Sequence, residues 1–219
     1  MRHHVRFAVR AALLAVPWVV LLAATVSAAS LAAVRTAPAN ELQPLNRAIL
    51  QGARQWLERA PRYDASYFKL TYPGGDVPPD RGACTDLIVR ALRHAGIDLQ
   101  VLIHEDRLAR PEAYPREPRV DRNLDHRRTA IQIVYFRKHA RPLVTRTDPE
   151  RLSEWLPGDL VFYGRRRVWH AGIVSDRKSP SGMPHIIDSH QDGGGVSERF
   201  LLTHWGAILA HFRVPGPPT

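Results

Sequence analysis

Cysteine is almost missing from this chain: Cys84 is the single one in 219 residues. That count excludes an internal disulfide framework and any cysteine-based structural zinc cluster. Lysine is nearly as scarce, with three residues against 28 arginines, and no acidic residue occurs before Glu41. Neither an HExxH nor a CxxC pattern is present. His185, Asp188, His190, His204 and His211 are therefore zinc donors on residue type alone, and no metal or cofactor is expected. There is no internal repeat, and the one low-complexity tract is the proline-rich tail at 215–218. What is there, 44% hydrophobic and 24% charged residues, is the composition of an ordinary globular protein. It excludes wholesale disorder and a polytopic membrane protein. The net charge of +10 comes from arginine usage and carries little weight as a nucleic-acid signal, so no nucleic-acid partner is expected.

Arg2, Arg6 and Arg10 precede an uncharged stretch over residues 11–34. A basic start, an apolar run and small residues near its end describe an export signal over 1–28, with cleavage after Ala28 or Ala29. The alternative is a retained anchor through 11–34, which reaches the roughly 20 residues a bilayer span needs. Either reading puts everything after Arg35 outside the cytoplasm. Residues 29–41 then serve as a linker, 42–214 as one domain, and 215–219 as a frayed tail. An exported basic protein meets anionic lipid headgroups and wall polymers first.

Leu45, Ile49, Ala53, Trp56, Leu57 and Ala60 recur at helical spacing until Pro61. Leu87, Ile88, Ala91, Leu92 and Ala95 predict a second helix that ends at Gly96, with Cys84 just before or in its first turn. From 110 to 128, ten of nineteen residues are charged, which predicts a long surface excursion. The run 131–136 favours a helix over a strand. Strands are expected at 160–163, 170–174, 185–188 and 207–214. Arg165, Arg166 and Arg167 read as a solvated hairpin tip, with contact to an anion as the alternative. Helices first and strands late is the order of an α+β domain with a mostly antiparallel sheet.

Thiol catalysis needs a thiolate, a base and a group that orients the base. A free cysteine ionises near pH 8.5, and a helix N-terminus with a nearby imidazolium lowers that to roughly 3.5–7.5. Cys84 has the helix start by position, where backbone N–H groups can also hold an oxyanion. His170 opens a strand with Gly172 on the same face, and the next strand presents Asp188 and His190 together. If those strands pair antiparallel, Asp188 accepts the proton on the far nitrogen of His170. Each residue also has a plainer reading: Cys84 as a small buried apolar residue, His170 as a core or edge residue, Asp188 as a turn cap.

The segments DRGACTDLIVRAL, HEDRLARPEAYP, DRNLDHRR, LPGDLVFY, HAGIVSD and PHIIDSH resemble, in that order, the bacterial family of domain of unknown function 1287. That family is similar to the NlpC/p60 group of papain-like cysteine peptidases. The likeness runs from about Leu42 to Arg213. It implies a papain-like α+β fold, with N-terminal helices including the nucleophile helix packed on the sheet, and an exported protein of the Gram-negative envelope, periplasmic or anchored in the inner membrane. Cys84 then matches the nucleophile and His170 the base. Asp188 takes the third position, where relatives carry a histidine. Thr129, Ala130, Ile131 and Gln132 stand where the family more often has proline and asparagine.

The reading that follows is an exported cysteine amidase or peptidase, acting on peptidoglycan stem peptides or another envelope amide. Asp80, Arg81, Asp86, Asn123, Asp125, His126 and Arg127 are the expected substrate contacts, chosen by motif density. The alternatives are a non-catalytic wall- or lipid-binding module and an acyltransferase on the same fold.

Overall fold

The computed structural model describes residues 42–115, 117 and 119–216. The export signal, the anchor alternative, the linker and the last three residues of the tail lie outside the described residues. Among the described residues, no helix is long and apolar enough to cross a membrane.

The first helix, α1 (Pro44–Arg59), starts at Pro44, where a missing N–H costs nothing. It buries Ile49, Leu50 and Ala53 and closes at Ala60 just before Pro61, as the apolar spacing predicts. Two short strands, β1 (Arg62–Tyr63) and β2 (Arg81–Gly82), pair in parallel and lead into α2 (Cys84–His94). Gly96 follows α2 with φ +82°, the left-handed conformation that stops a helix. Next comes α3 (Leu99–Ala109), a helix the apolar spacing did not single out. Its signals are Asp98, whose carboxylate accepts the Gln100 N–H, and the buried positions Leu99, Ile103 and Arg107 at intervals of four. A third buried arginine position defeats a search for apolar periodicity.

The expectation of a surface excursion over 110–128 needs correction. Tyr114 within it is buried in the main core, and Asp125, His126 and Arg127 are buried in a 3₁₀ turn. Ionic partners make that burial tolerable, because a charge is accepted in the interior when it is paired. The chain continues into α4 (Thr129–His139), in agreement with the helix expected at 131–136.

The remaining strands are β3 (Arg141–Pro142), β4 (Leu160–Gly164), β5 (Val168–Lys178), β6 (Pro184–His190), β7 (Gly195–Ser197) and β8 (Ile208–Arg213). They form a six-stranded sheet in the order β3-β8-β4-β5-β6-β7, with every neighbouring pair antiparallel. The molecule is thus α+β with an antiparallel sheet, and β3 and β7 are strands too short to stand out in the sequence. Side chains alternate along the central strands. Phe162, Ala171, Ile173, Ile187 and Phe212 join Ile49, Leu87, Ile88, Ile103 and Ile131 of the helices in the main core. Val161, Tyr163, Val174 and Ile186 point the other way, into a smaller cluster with Trp155 and Leu202. Each fully buried Val, Leu, Ile or Phe among them contributes about 1.5–3 kcal/mol. That double burial fixes the register of β4, β5 and β6, because a slip of one residue would exchange the two faces.

Candidate functional site

Cys84 is the first residue of α2, and the backbone around it is held from several sides. The Asp86 carboxylate accepts the Ala83 N–H at 2.7 Å, so the turn into the helix is closed by a charge at the positive end of the dipole. Arg127 donates to the same carboxylate through Nε at 2.7 Å and Nη2 at 3.0 Å. The Thr85 hydroxyl donates to the Arg127 carbonyl at 2.7 Å. On the sheet side, the Ser189 hydroxyl donates to the Gly82 carbonyl at 2.9 Å. Cys84 itself is only 6% exposed.

The expected pairing of the next two strands is present. β5 and β6 run antiparallel with Gly172 opposite Asp188, which sets His170 diagonally across from the carboxylate. A Cβ at position 172 would lie 3.3 Å from that of Asp188, so glycine there makes room for the acid. The His170 Nε2 lies 2.7 Å from Asp188 Oδ2, with both side chains buried. The same oxygen accepts the Trp205 indole N–H at 2.6 Å. Burial works against a charged imidazole at 170, but the hydrogen bonds to Asp188 and Cys84 outweigh it and raise its pKa to about 9. With Nε2 committed to Asp188, Nδ1 is the ring atom left for the thiol. His170 therefore faces both the sulfur and the carboxylate. That is the arrangement a thiolate–imidazolium pair requires.

Three neighbours escaped the sequence reading. Tyr63 lies close to Cys84 and Asp86, and burial above all pushes its hydroxyl pKa up. Trp205 comes from the loop between β7 and β8. Trp169 lies with its ring centroid 5.3 Å from that of His170. His190, beside Asp188 on the same face, lies 5.4 Å from His170 and 4.4 Å from Trp205. Of these, Trp169 alone carried a signal, its adjacency to His170. Tyr63 and Trp205 are 21 residues from Cys84 and 17 from Asp188, and only the fold brings them close.

Of the expected substrate contacts, Asp86, His126 and Arg127 lie together. Asp86 and Arg127 are buried against one another, 3% and 2% exposed. Asp125 pairs with Arg107 at 2.5 Å, again out of solvent. His126 is buried beside Asp86 and Arg127, and burial pulls its pKa down to about 4. Asp80 and Arg81 form a pair at 2.9 Å near the surface, and Arg81 also reaches Asp64. Asn123 accepts the Leu70 N–H and donates to the Tyr67 hydroxyl. Gln132, where the family motif differs, is fully buried and donates to the His126 carbonyl at 2.8 Å. Among the described residues no three metal-binding side chains converge. His211 is held between Asp159 and the Val144 carbonyl, and its ring stacks on Trp155.

Comparison with known proteins completes the description. The chain is 39% identical over 172 residues to the uncharacterized protein YijF of Escherichia coli, covering 77% of this chain and 81% of the relative. Among solved structures it is similar to an N-acetylmuramoyl-L-alanine amidase of Bacteroides uniformis, with a TM-score of 0.48 and 13% identity, covering 80% of this chain and 100% of the other. A second amidase structure from the same organism gives a TM-score of 0.46 and 12% identity, covering 78% and 99%. The family model described as domain of unknown function (DUF1287) matches residues 50–214, and the chain belongs to that family.

Proposed function

We propose that the protein is an exported cysteine amidase of the cell envelope that hydrolyses amide bonds in peptidoglycan stem peptides. The observation that carries this reading is the imidazole of His170, placed between the thiol of Cys84 and the buried carboxylate of Asp188. In this mechanism the Cys84 thiolate attacks the amide carbonyl. The first-turn N–H groups of α2, which a helix leaves without intrahelical partners, receive the oxyanion. His170, already protonated, gives its proton to the leaving amine and then takes one from the water that releases the acyl group. Asp188 holds the ring orientation and supports its charge, and the Trp205 N–H fixes the carboxylate. The papain-like arrangement belongs to the same proposal: a nucleophile at the start of a helix, set against an antiparallel sheet that supplies the base. The substrate class and the export rest on the resemblance of the CTD and HAGIVSD segments to the NlpC/p60 group and on the apolar amino-terminal run. Asp86, Arg127, Asp125 and His126 act in this reading behind the nucleophile, as its support.

Two measurements test it. Iodoacetamide should alkylate Cys84 nearly as fast at pH 6 as at pH 8. A rate that climbs about tenfold per pH unit towards 8.5, as for an unassisted thiol, overturns the activated nucleophile. Incubation with purified peptidoglycan, followed by mass spectrometry of released muropeptides, should give new fragments that Cys84→Ala does not give. Binding without fragments would return the protein to a wall-binding role, and amine adducts in place of hydrolysed ends would make it a transferase.

A further inference from the structure

Beside the triad lies an open groove of about 560 Å³ whose lining includes Arg165, Arg166, Arg167, Trp169 and Trp205. It shares two walls with the site. Trp205 is the residue that donates to Asp188, and Trp169 is the residue whose ring lies against His170. The two indoles meet edge to face, 5.5 Å apart. Trp169 leaves 48% of its surface exposed, beside a buried catalytic ring.

The three arginines form the tip of the β4–β5 hairpin, and all are exposed. About half of the other described arginines are paired, Arg54, Arg90, Arg127 and Arg213 among them, each bridging a carboxylate. At the hairpin tip, among the described residues, none of the three has a carboxylate within 4.0 Å. Three adjacent like charges repel one another, and an anion relieves that repulsion. Guanidinium groups take carboxylate and phosphate in a planar, bidentate geometry, and indole faces carry the apolar part of the same ligand.

We propose that this groove is the subsite for an anionic group, a carboxylate or a phosphate, which the substrate carries next to the amide bond cleaved at Cys84. The assignment rests on the cysteine amidase reading. It makes the enzyme selective for acidic amides: the hairpin draws the anion in, Trp169 and Trp205 hold the unit that bears it, and the scissile carbonyl comes to rest at the start of α2.

The test uses the full chain and three matched stem-peptide substrates that differ in one group: a free carboxylate, a phosphate monoester, or a neutral carboxamide. One acidic substrate should be preferred over the neutral one by about tenfold or more in kcat/KM, the scale of one charge-assisted hydrogen bond. The preferred acid names the source of the anion. That preference should shrink as salt rises to 1 M, where the screening length falls to about 3 Å. The triple replacement Arg165→Gln, Arg166→Gln and Arg167→Gln, on an exposed tip, should bring the preference close to one through KM. Trp169→Leu, which keeps all three charges, should weaken the preferred substrate as well. Calorimetric binding of the three substrates to Cys84→Ala separates the subsite from the chemistry. Equal cleavage of all three overturns the subsite and leaves the hydrolase reading standing. No cleavage of any, with the acidic substrate still bound to Cys84→Ala and released by the triple replacement, overturns the hydrolase reading and keeps the anion site. Equal binding of all three overturns the anion site.

Discussion

At the scale of single residues, the proposed chemistry depends on how one imidazole is kept charged. His170 is buried, and burial alone would drive its pKa below the ordinary histidine value. Asp188 and Cys84 reverse that and bring it to about 9. Asp188→Asn keeps the shape and removes the charge. We expect kcat to fall by roughly 10²–10⁴-fold, the range of general acid–base assistance. The alkaline limb of kcat/KM, expected near pH 9, should move down towards neutrality. A pH profile over 5–10 for both proteins checks this, and an unshifted limb would show that Asp188 does not hold the proton on His170. Cys84, His170 and Asp188 were legible in the sequence because helix position and strand alternation are local properties. Tyr63 and Trp205 were not, because a two-residue strand and a loop, neither with any particular pattern, deliver them.

At the scale of elements, the start of α2 is fixed by the pair Asp86–Arg127, which joins that helix to the turn before α4. Removing one member of a buried pair leaves an uncompensated charge, at a cost of about 3–5 kcal/mol. Arg127→Leu should therefore destabilise the protein by that amount in urea unfolding and slow Cys84 alkylation as the helix start loosens. Adding Asp86→Asn in the same chain should recover much of the stability. No recovery would mean that Arg127 acts through its carbonyl and backbone position instead. The density of charge in 110–128 was visible in the sequence, but its destination was not. A run of arginines and acids suits solvent or a set of internal pairs equally well. Only the presence of Arg107 and Asp86 opposite Asp125 and Arg127 decides between them. The α3 helix was hidden for the same reason, because the buried Arg107 occupies a position where an apolar residue would have announced the period.

At the scale of the whole molecule, two histidines give the stability opposite slopes in separate pH windows. His126 is held near 4 by burial, whereas an unfolded chain titrates near 6.5. The unfolded state therefore binds more protons between those values, and stability falls as pH drops from 6.5 to about 4. His170 is raised, so its contribution is complete below 6.5 and is lost as pH rises through about 9. Urea unfolding at intervals from pH 4 to 9.5 should show a maximum near 6.5 from these two groups. His126→Asn should flatten the acid side and leave the alkaline side as it is. An acid slope that persists in His126→Asn would assign it to the carboxylates.

Alone, the amino-acid sequence determined the helices α1, α2 and α4, the strands β4, β5, β6 and β8 in their order, the two faces of β5 and β6, and Cys84, His170 and Asp188 as candidates for thiol chemistry. These follow from spacing along the chain, which the backbone geometry of helices and strands converts directly into direction. The tertiary structure decided which charges are interior pairs and which remain open to a ligand. It also decided that two tryptophans complete the walls of the site. Such matters depend on what lies opposite each side chain, and partners 17 to 41 residues apart meet only after the sheet has closed and the helices have packed upon it.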